Sequence, residues 1–484
     1  MAVLSGLKPE RVFYYFEEIC NIPHGSYHTR EISDYLVEFA KKNKLSWRQD
    51  ASNNVIIRKP ASPGYEKAPT VILQGHCDMV CEKIPGSDHD FEKDGLVLKI
   101  DGDDITADGT TLGGDDGIAV AYGLAIMEDR SLKHPPLELV ITTDEEVGLL
   151  GAGALDTSDL KGRYLINMDS EEEGYLWISC AGGLSATSQI PVHYVEEEGI
   201  CYQVRIDGLT GGHSGAEIDK IRANSNKLMG RFLFSLDQKA DYGLAALKGG
   251  QKDNAIPRTT FASLIVEPSQ EEILLQTAKA LQKDIRQEYS GTDDGISICV
   301  ERKGERKQKV LDPVSKQKLV FFLVQIPYGI QKMSGEIPGL VETSINPGIL
   351  ELGEENCNVV CSIRSSVKSA KEALTQKIQY LTEFLGGSCE LEGDYPAWEY
   401  KKDSRLRQIM VATYEELFGE KPEVKAIHAG LECGIFYEKI PGLDCVSFGP
   451  TMWDIHTTEE RLSISSTARM WDYLLKVLEN IHEG

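Results

Sequence analysis

Apolar residues recur along the first part of the chain with two different spacings. At residues 11–20 and at Arg30–Lys42 they return every three to four positions, with Ile32, Leu36 and Phe39 on one face of the second segment, which predicts two amphipathic helices. Short apolar runs of strand length follow at residues 54–58 and 71–74, at Leu137–Thr142 and at Tyr164–Asn167, and a further helical pattern covers residues 118–129. Helices alternating with such runs predict an α/β domain built on a mostly parallel sheet. Three of the four runs end in a burst of His, Asp or Glu.

The pattern changes from about residue 185. Residues 202–208 alternate, a glycine loop follows, and 224–236 read as a helix. Strand-like runs recur at Thr260–Val266, 296–300, 359–363 and 389–392, with helices at 271–289 and 370–385, the texture of an α+β unit. A helix at 406–418, a short apolar strand at 444–448 and a last helix at 466–482 return to the first style. The expected organisation is one domain made of residues 1–185 and 397–484, interrupted by a second domain at 186–396.

Length agrees with two domains, since 484 residues exceed one ordinary core. Hydrophobic residues at 41% and charged residues at 26% are the balance of a globular protein. The 76 acidic against 51 basic residues give a net charge of -25, and the basic residues form no block able to track a phosphate backbone, so nucleic acid is not an expected partner. The same negative envelope repels carboxylate substrates, which would have to be held locally by a placed Arg or a metal. Lys8, Glu10, Arg11, Glu17 and Glu18 interrupt the first twenty residues as no signal peptide would allow. No uninterrupted apolar run of ~18 residues is present to span a bilayer. Eleven cysteines, an odd number without repeated spacing, fit reduced thiols, and the Cys77, Cys81 pair has no second pair to complete a thiolate zinc site. A cytoplasmic protein without membrane partners is expected.

Chemistry concentrates where the apolar runs stop. Val71-Ile-Leu-Gln-Gly-His76-Cys-Asp78 delivers a His and an Asp at alternate positions, on one side of an extended segment, so Asp78 can orient the His76 ring. Thr111-Leu-Gly-Gly-Asp115-Asp116-Gly117 opens a helix, where a carboxylate serves equally as a cap or, held as an anion, as a metal ligand. Leu137–Thr142 runs into Thr143-Asp144-Glu145-Glu146, whose neighbouring side chains diverge, so that one Glu can bind metal while the other faces a reacting water. Tyr164–Asn167 discharges into Asp169, and the strand at 444–448 leads to His456. Read alone, the strand-end residues are more simply solvated acidic turns or a surface His. Together His76, Asp115, Glu146, Asp169 and His456 lie at strand ends or a helix start, where open α/β sheets bind ligands. Two His and three carboxylates suit a pair of borderline metals sharing one carboxylate, zinc first among them, and leave Glu145 to accept the proton of the water.

These segments, in this order and spacing, resemble the aminoacylase and dipeptidase family of two-zinc exopeptidases. The resemblance runs from about residue 7 to residue 475 and tightens to its aminoacyl-histidine dipeptidase branch through six motifs. They are Asn21-Ile-Pro-His24, Asp169-Ser-Glu-Glu-Glu-Gly174, Cys180-Ala-Gly-Gly183, Gly211-Gly-His-Ser-Gly215, Asp253-Asn-Ala-Ile-Pro-Arg258 and His428-Ala-Gly-Leu-Glu-Cys-Gly434. The resemblance implies a zinc-exopeptidase-like catalytic domain with an inserted α+β lid domain, two Zn2+ per chain with Mn2+ or Co2+ as substitutes, and hydrolysis of Xaa-His and other dipeptides. It makes His76 and Asp169 ligands of one zinc, Glu146 and His456 ligands of the other, Asp115 the bridge, Asp78 the support of His76 and Glu145 the general base. In the lid, His213 resembles the oxyanion-stabilising residue, and Asn254 and Arg364 the pair that holds the substrate carboxylate. Some relatives dimerise through the lid, so a homodimer is part of the implied picture. An N-acyl amino acid deacylase or a metallo-carboxypeptidase would use the same ligands. The sequence departs from the branch at Asp116, where Asn is usual, and at Met452-Trp-Asp-Ile-His456-Thr-Thr, which replaces a short approach to a His-Ser-Pro segment.

Overall fold

The computed structural model describes residues 2–482; the expected first domain also counts Met1, Glu483 and Gly484, which lie outside the described residues. The chain divides into two compact units, one of Met1–Cys180, Tyr400–Ala426 and Leu431–Gly484, the other of Ala181–Glu399 and Ile427–Gly430. These units change over at 180/181 and 399/400, where the sequence placed its boundaries at 185/186 and 396/397, and the short segment Ile427–Gly430 groups with the second unit.

The first unit is built on an eight-stranded sheet in the order Ser46–Gln49, Val55–Lys59, Leu137–Thr142, Val71–His76, Tyr164–Asn167, Asp444–Ser447, Tyr175–Cys180, Glu423–Ile427. The four central strands, from Leu137–Thr142 to Asp444–Ser447, are parallel, whereas Ser46–Gln49, Val55–Lys59 and Tyr175–Cys180 join antiparallel, so the sheet as a whole is mixed around a parallel centre. Leu137–Thr142 and Val71–His76 are buried along their whole length, as a parallel strand covered on both faces must be. Even Glu138 is buried there, its carboxylate accepting from the backbone N–H of Lys161 and Gly162 at 2.9 Å each. Helix Arg30–Lys42 buries Ile32, Leu36 and Phe39 as its periodicity predicts, and helix Gly114–Glu128 is buried on nearly every side. The parallel register pairs His76 with Thr142, Gln74 with Asn167 and Ser447 with Asn167, so the carboxyl ends of the central strands finish along one edge.

The inserted unit carries a nine-stranded antiparallel sheet whose main path runs Ser297–Leu311, Tyr194–Asp207, Thr260–Val266, Gly243–Gly249, Val341–Leu352, Asn356–Ser365, Gly182–Pro191, Ser388–Tyr395. Helices Ser225–Asp237, Glu271–Glu288, Pro313–Gln325 and Lys368–Phe384 share one apolar core with it, in which Phe232, Phe322 and Ile378 lie with Tyr202, Leu264 and Ile363. A two-stranded ribbon pairs Gly212–His213 with Ala255–Ile256. The architecture is therefore an α/β unit with an inserted α+β unit. Among the described residues no helix is long and apolar enough to cross a membrane.

Candidate metal centre

The carboxyl edge of the first sheet gathers the acids and imidazoles that the strand ends deliver. His76 closes its strand, and its Nδ1 lies 3.0 Å from the backbone carbonyl of Asp78 and 3.4 Å from that residue's carboxylate. A carbonyl can only accept, so Nδ1 carries a proton there, and Nε2 is the ring nitrogen that faces the site. There Nε2 stands 3.2 Å from Asp115 Oδ1 and 3.8 Å from Asp169 Oδ1. The other Asp115 oxygen, Oδ2, is 3.0 Å from His456 Nε2, which is also 2.9 Å from Glu146 Oε1. One carboxylate thus faces two imidazoles, one with each oxygen. Asp78 does more than face His76: it accepts from the backbone N–H of Glu145 at 3.0 Å and of Glu146 at 3.4 Å, and from Ser26 Oγ at 2.8 Å.

Among the described residues three overlapping groups have ligand atoms within 4.8 Å of one another: His76, Asp116 and Asp169; His76, Glu145 and Glu146; Asp115, Glu146 and His456. All five residues expected as ligands, with Glu145, are brought together. Asp116, read in the sequence as a helix cap and as a departure from the usual Asn, is a member too. It is fully buried, and its Oδ2 accepts from the His76 backbone N–H at 3.2 Å. Non-glycine residues in the left-handed region flank the cluster: Asp144 at φ 53°, Leu149 at φ 61° and His456 itself at φ 62°. Such positions cost free energy and concentrate at functional sites.

The electrostatics of the cluster suit a cation. Burial, reinforced by the charges of Glu432, Glu146 and Asp115, pushes the Glu145 carboxyl up to about 8. Burial and neighbouring carboxylates also raise Asp169 and Asp116 well above the usual range. Burial opposes the ionisation of Asp115, yet hydrogen bonds from His456 and His76 hold it low. Bonds to Asp115 and Glu146 lift the exposed His456 to about 10. So many acids this close cannot all ionise unless positive charge joins them, and the donors are the imidazole nitrogens and carboxylate oxygens that divalent cations take.

Sequence reasoning passed over Glu460. It is buried, and its two oxygens accept from four consecutive backbone N–H groups, Leu112 at 2.8 Å, Gly113 at 3.1 Å, Gly114 at 2.9 Å and Asp115 at 3.4 Å. It therefore fixes the loop that presents Asp115. Nothing in Thr457-Thr-Glu-Glu460 distinguishes it from the exposed Glu459 beside it.

Within the inserted unit, the side chains of His213 and Arg364 lie together, and the backbone of Asn254 joins the loop that carries His213. The ribbon sets His213 opposite Ala255, and Ser214 N–H donates to the Asn254 carbonyl at 2.8 Å. His213 Nδ1 accepts from the backbone N–H of Gly215 at 3.2 Å and of Ala216 at 2.9 Å. That leaves its proton on Nε2, and burial followed by the charge of Arg364 keeps the ring neutral by lowering its pKa. Arg364 donates from Nη1 to the Tyr395 hydroxyl at 2.8 Å, while its Nε is buried without a partner. A Cβ added at Gly215 would lie 2.9 Å from His213 Cε1 and 3.1 Å from Arg364 Nε, which places both side chains around that one glycine.

Known proteins share this arrangement of sequence and fold. Over 486 aligned residues the chain is 35% identical to the cytosol non-specific dipeptidase of Escherichia coli (strain K12), covering 99% of each. It superposes on the crystal structure of aminoacylhistidine dipeptidase from Vibrio alginolyticus with a TM-score of 0.94 and 37% identity, over 99% of this chain and 98% of that one. The aminopeptidase PepT of Bacillus cereus shares the fold at 15% identity and a TM-score of 0.56, over 98% of this chain and 99% of that one. Residues 72–480 match the pattern of Peptidase family M20/M25/M40, a span that contains every acid and imidazole of the cluster, and the chain belongs to that family.

Proposed function

We propose that this peptidase hydrolyses dipeptides with a free C-terminal carboxylate, Xaa-His dipeptides among them, using two zinc ions for which Mn2+ or Co2+ can substitute. His76 and Asp169 would hold one ion, Glu146 and His456 the other, and Asp115 both. The observation that carries this reading is the Asp115 carboxylate, whose separate oxygens face His76 at 3.2 Å and His456 at 3.0 Å. The names of the Escherichia coli and Vibrio relatives, both dipeptidases, support the substrate class.

When bound, two such cations polarise the scissile carbonyl and lower the pKa of the attacking water. The chain's own groups do the rest. Glu145, held by the bond from its N–H to Asp78, takes the proton of the water and passes it to the leaving amine. His213, protonated on Nε2, donates to the carbonyl oxygen as negative charge develops there. Asn254 and Arg364 take the free carboxylate, and the planar guanidinium suits it as a two-pronged donor. A cytoplasmic location belongs to the same reading, supported by the free cysteines and the cytosolic relative. So does a homodimer joined through the inserted unit, which analytical ultracentrifugation would reveal as twice the chain mass. The substrate class is tested by incubating the enzyme with dipeptides, tripeptides and N-acyl amino acids, with and without a chelator. Chelator-sensitive cleavage confined to dipeptides is expected; tripeptides or acyl amino acids cleaved as fast as dipeptides would refute it.

A further inference from the structure

Two glycine-bearing motifs, Cys180-Ala-Gly-Gly183 and His428-Ala-Gly430, play no part in the chemistry above, and both abut the same aromatic ring. Strand Gly182–Pro191 lies between Asn356–Ser365 and Ser388–Tyr395, and the register sets Gly183 opposite Arg364 on one side and Tyr395 on the other. With no side chain at the middle position, Arg364 reaches across it and donates from Nη1 to the Tyr395 hydroxyl at 2.8 Å. A Cβ at 183 would stand 2.5 Å from that hydroxyl oxygen and 2.8 Å from the ring carbon bearing it; a Cβ at 430 would stand 2.8 Å from Tyr395 Cε2. Neither distance is sterically open, so both glycines exist at these positions as space for the ring. The backbone of Tyr395 is secured as well: the buried Lys371 ammonium donates to its carbonyl at 2.7 Å and to the Asp394 carboxylate.

We infer that Tyr395 is a specificity-determining positioning residue, which holds the guanidinium of Arg364 by one nitrogen so that Nε and Nη2 are turned together toward a substrate's terminal carboxylate. The inference rests on the reading of Arg364 as the carboxylate anchor. Its basis is geometric. A guanidinium free to rotate on its long side chain presents its donor pairs in many orientations, and ordering it costs entropy at each binding event. One bond to a fixed phenol, made across a position kept empty, removes that freedom before the substrate arrives. The remaining donors then include Nε, which is buried and without a partner and lies beside Gly215, where a Cβ would come within 3.1 Å of it. A buried, unpaired N–H of a cationic group is costly unless a ligand completes it.

The test compares kcat/KM for a free dipeptide with kcat/KM for the same dipeptide amidated at its C-terminus, in the metal-loaded full chain. Tyr395→Phe keeps the ring and removes the hydroxyl, and should shrink the free-to-amide ratio about tenfold, the low end of a hydrogen bond to a charged group. Gly183→Ala, which drives the ring away while leaving the hydroxyl in the chain, should shrink the ratio similarly. Arg364→Ala serves as the reference and should shrink it further. A merely structural role for Tyr395 would lower both rates alike and leave the ratio where it was. An unchanged ratio in Tyr395→Phe and Gly183→Ala, with the ratio lost in Arg364→Ala, overturns this inference alone. An unchanged ratio in Arg364→Ala overturns the anchor reading beneath it.

Discussion

Glu460 offers the sharpest test of how the Asp115 loop is built. Its carboxylate is 3% exposed and receives four backbone N–H groups in a row, two on each oxygen. Glu460→Gln keeps the size but supplies one acceptor oxygen, so two of the four donors would meet an NH2 group instead. A hydrogen bond to a charged acceptor contributes about 1.5–3 kcal/mol, and leaving a buried donor unmade costs about as much again. Because four adjacent donors share one acceptor group their losses are not additive, and a local destabilisation of about 3 kcal/mol is the reasonable expectation. Backbone amide exchange followed by mass spectrometry on the peptide spanning residues 112–117, in metal-free protein, reads that number directly. Exchange there should quicken about a hundredfold, since 1.4 kcal/mol corresponds to a factor of ten. The exposed neighbour variant Glu459→Gln should leave it unchanged. Refolded Glu460→Gln whose 112–117 amides exchange at the wild-type rate would refute the reasoning, because the four bonds would then hold nothing in place.

Three other outcomes follow from the cluster. Glu145→Gln should retain fold and metal and lose about 10²–10⁴-fold in kcat, the usual contribution of a general base; near-normal turnover with metal in place would reassign the base. Asp116→Asn keeps an oxygen to accept from the His76 N–H, so metal content and kcat/KM should stay near wild type, and loss of metal in this variant would mean that the Asp116 charge itself is needed. His76→Ala should leave one metal site occupied by elemental analysis, whereas Asp115→Ala should empty both; equal metal loss in the two would speak against the shared carboxylate.

The parts of the fold that were legible in the sequence are those whose pattern is set locally. Leu137–Thr142 and Tyr164–Asn167 are apolar because they lie in the buried centre of the sheet, and their bounds match the expected ones. Helix Arg30–Lys42 likewise shows its single buried face in its spacing. Strand Val341–Leu352 was not expected, since Glu342, Thr343, Ser344, Asn346 and Pro347 interrupt any apolar run; it pairs with Asn356–Ser365, with a register shift at Pro347/Ile349. Strand Ser297–Leu311 extends far beyond the expected 296–300 because its charged half pairs along its length with the distant strand Tyr194–Asp207, where Lys307 also meets the Glu196 carboxylate at 2.7 Å. Helix Pro313–Gln325 lacks an amphipathic stripe, although Asp312, which caps it by accepting from Ser315 N–H at 2.7 Å, followed by Pro313 was a readable start signal.

At the site, His76, Asp115, Glu146, Asp169 and His456 were legible because each follows an apolar run or opens a helix, and the topology of a parallel sheet then brings such ends to one edge. Glu460 and Tyr395 were not, because their roles are defined by partners far away in sequence: Glu460 by the N–H groups of a loop some 350 residues earlier, Tyr395 by an emptied position on the adjacent strand. The pairing of Asp78 with the Glu145 and Glu146 backbone was hidden for the same reason.

The central claim is that peptide hydrolysis depends on two cations sharing Asp115. Titrating carefully stripped protein with zinc while following cleavage of a dipeptide tests it most directly. The account predicts no cleavage before zinc, recovery that saturates near two equivalents per chain, and no recovery in Asp115→Ala; full cleavage by the stripped protein, or by Asp115→Ala, would contradict it.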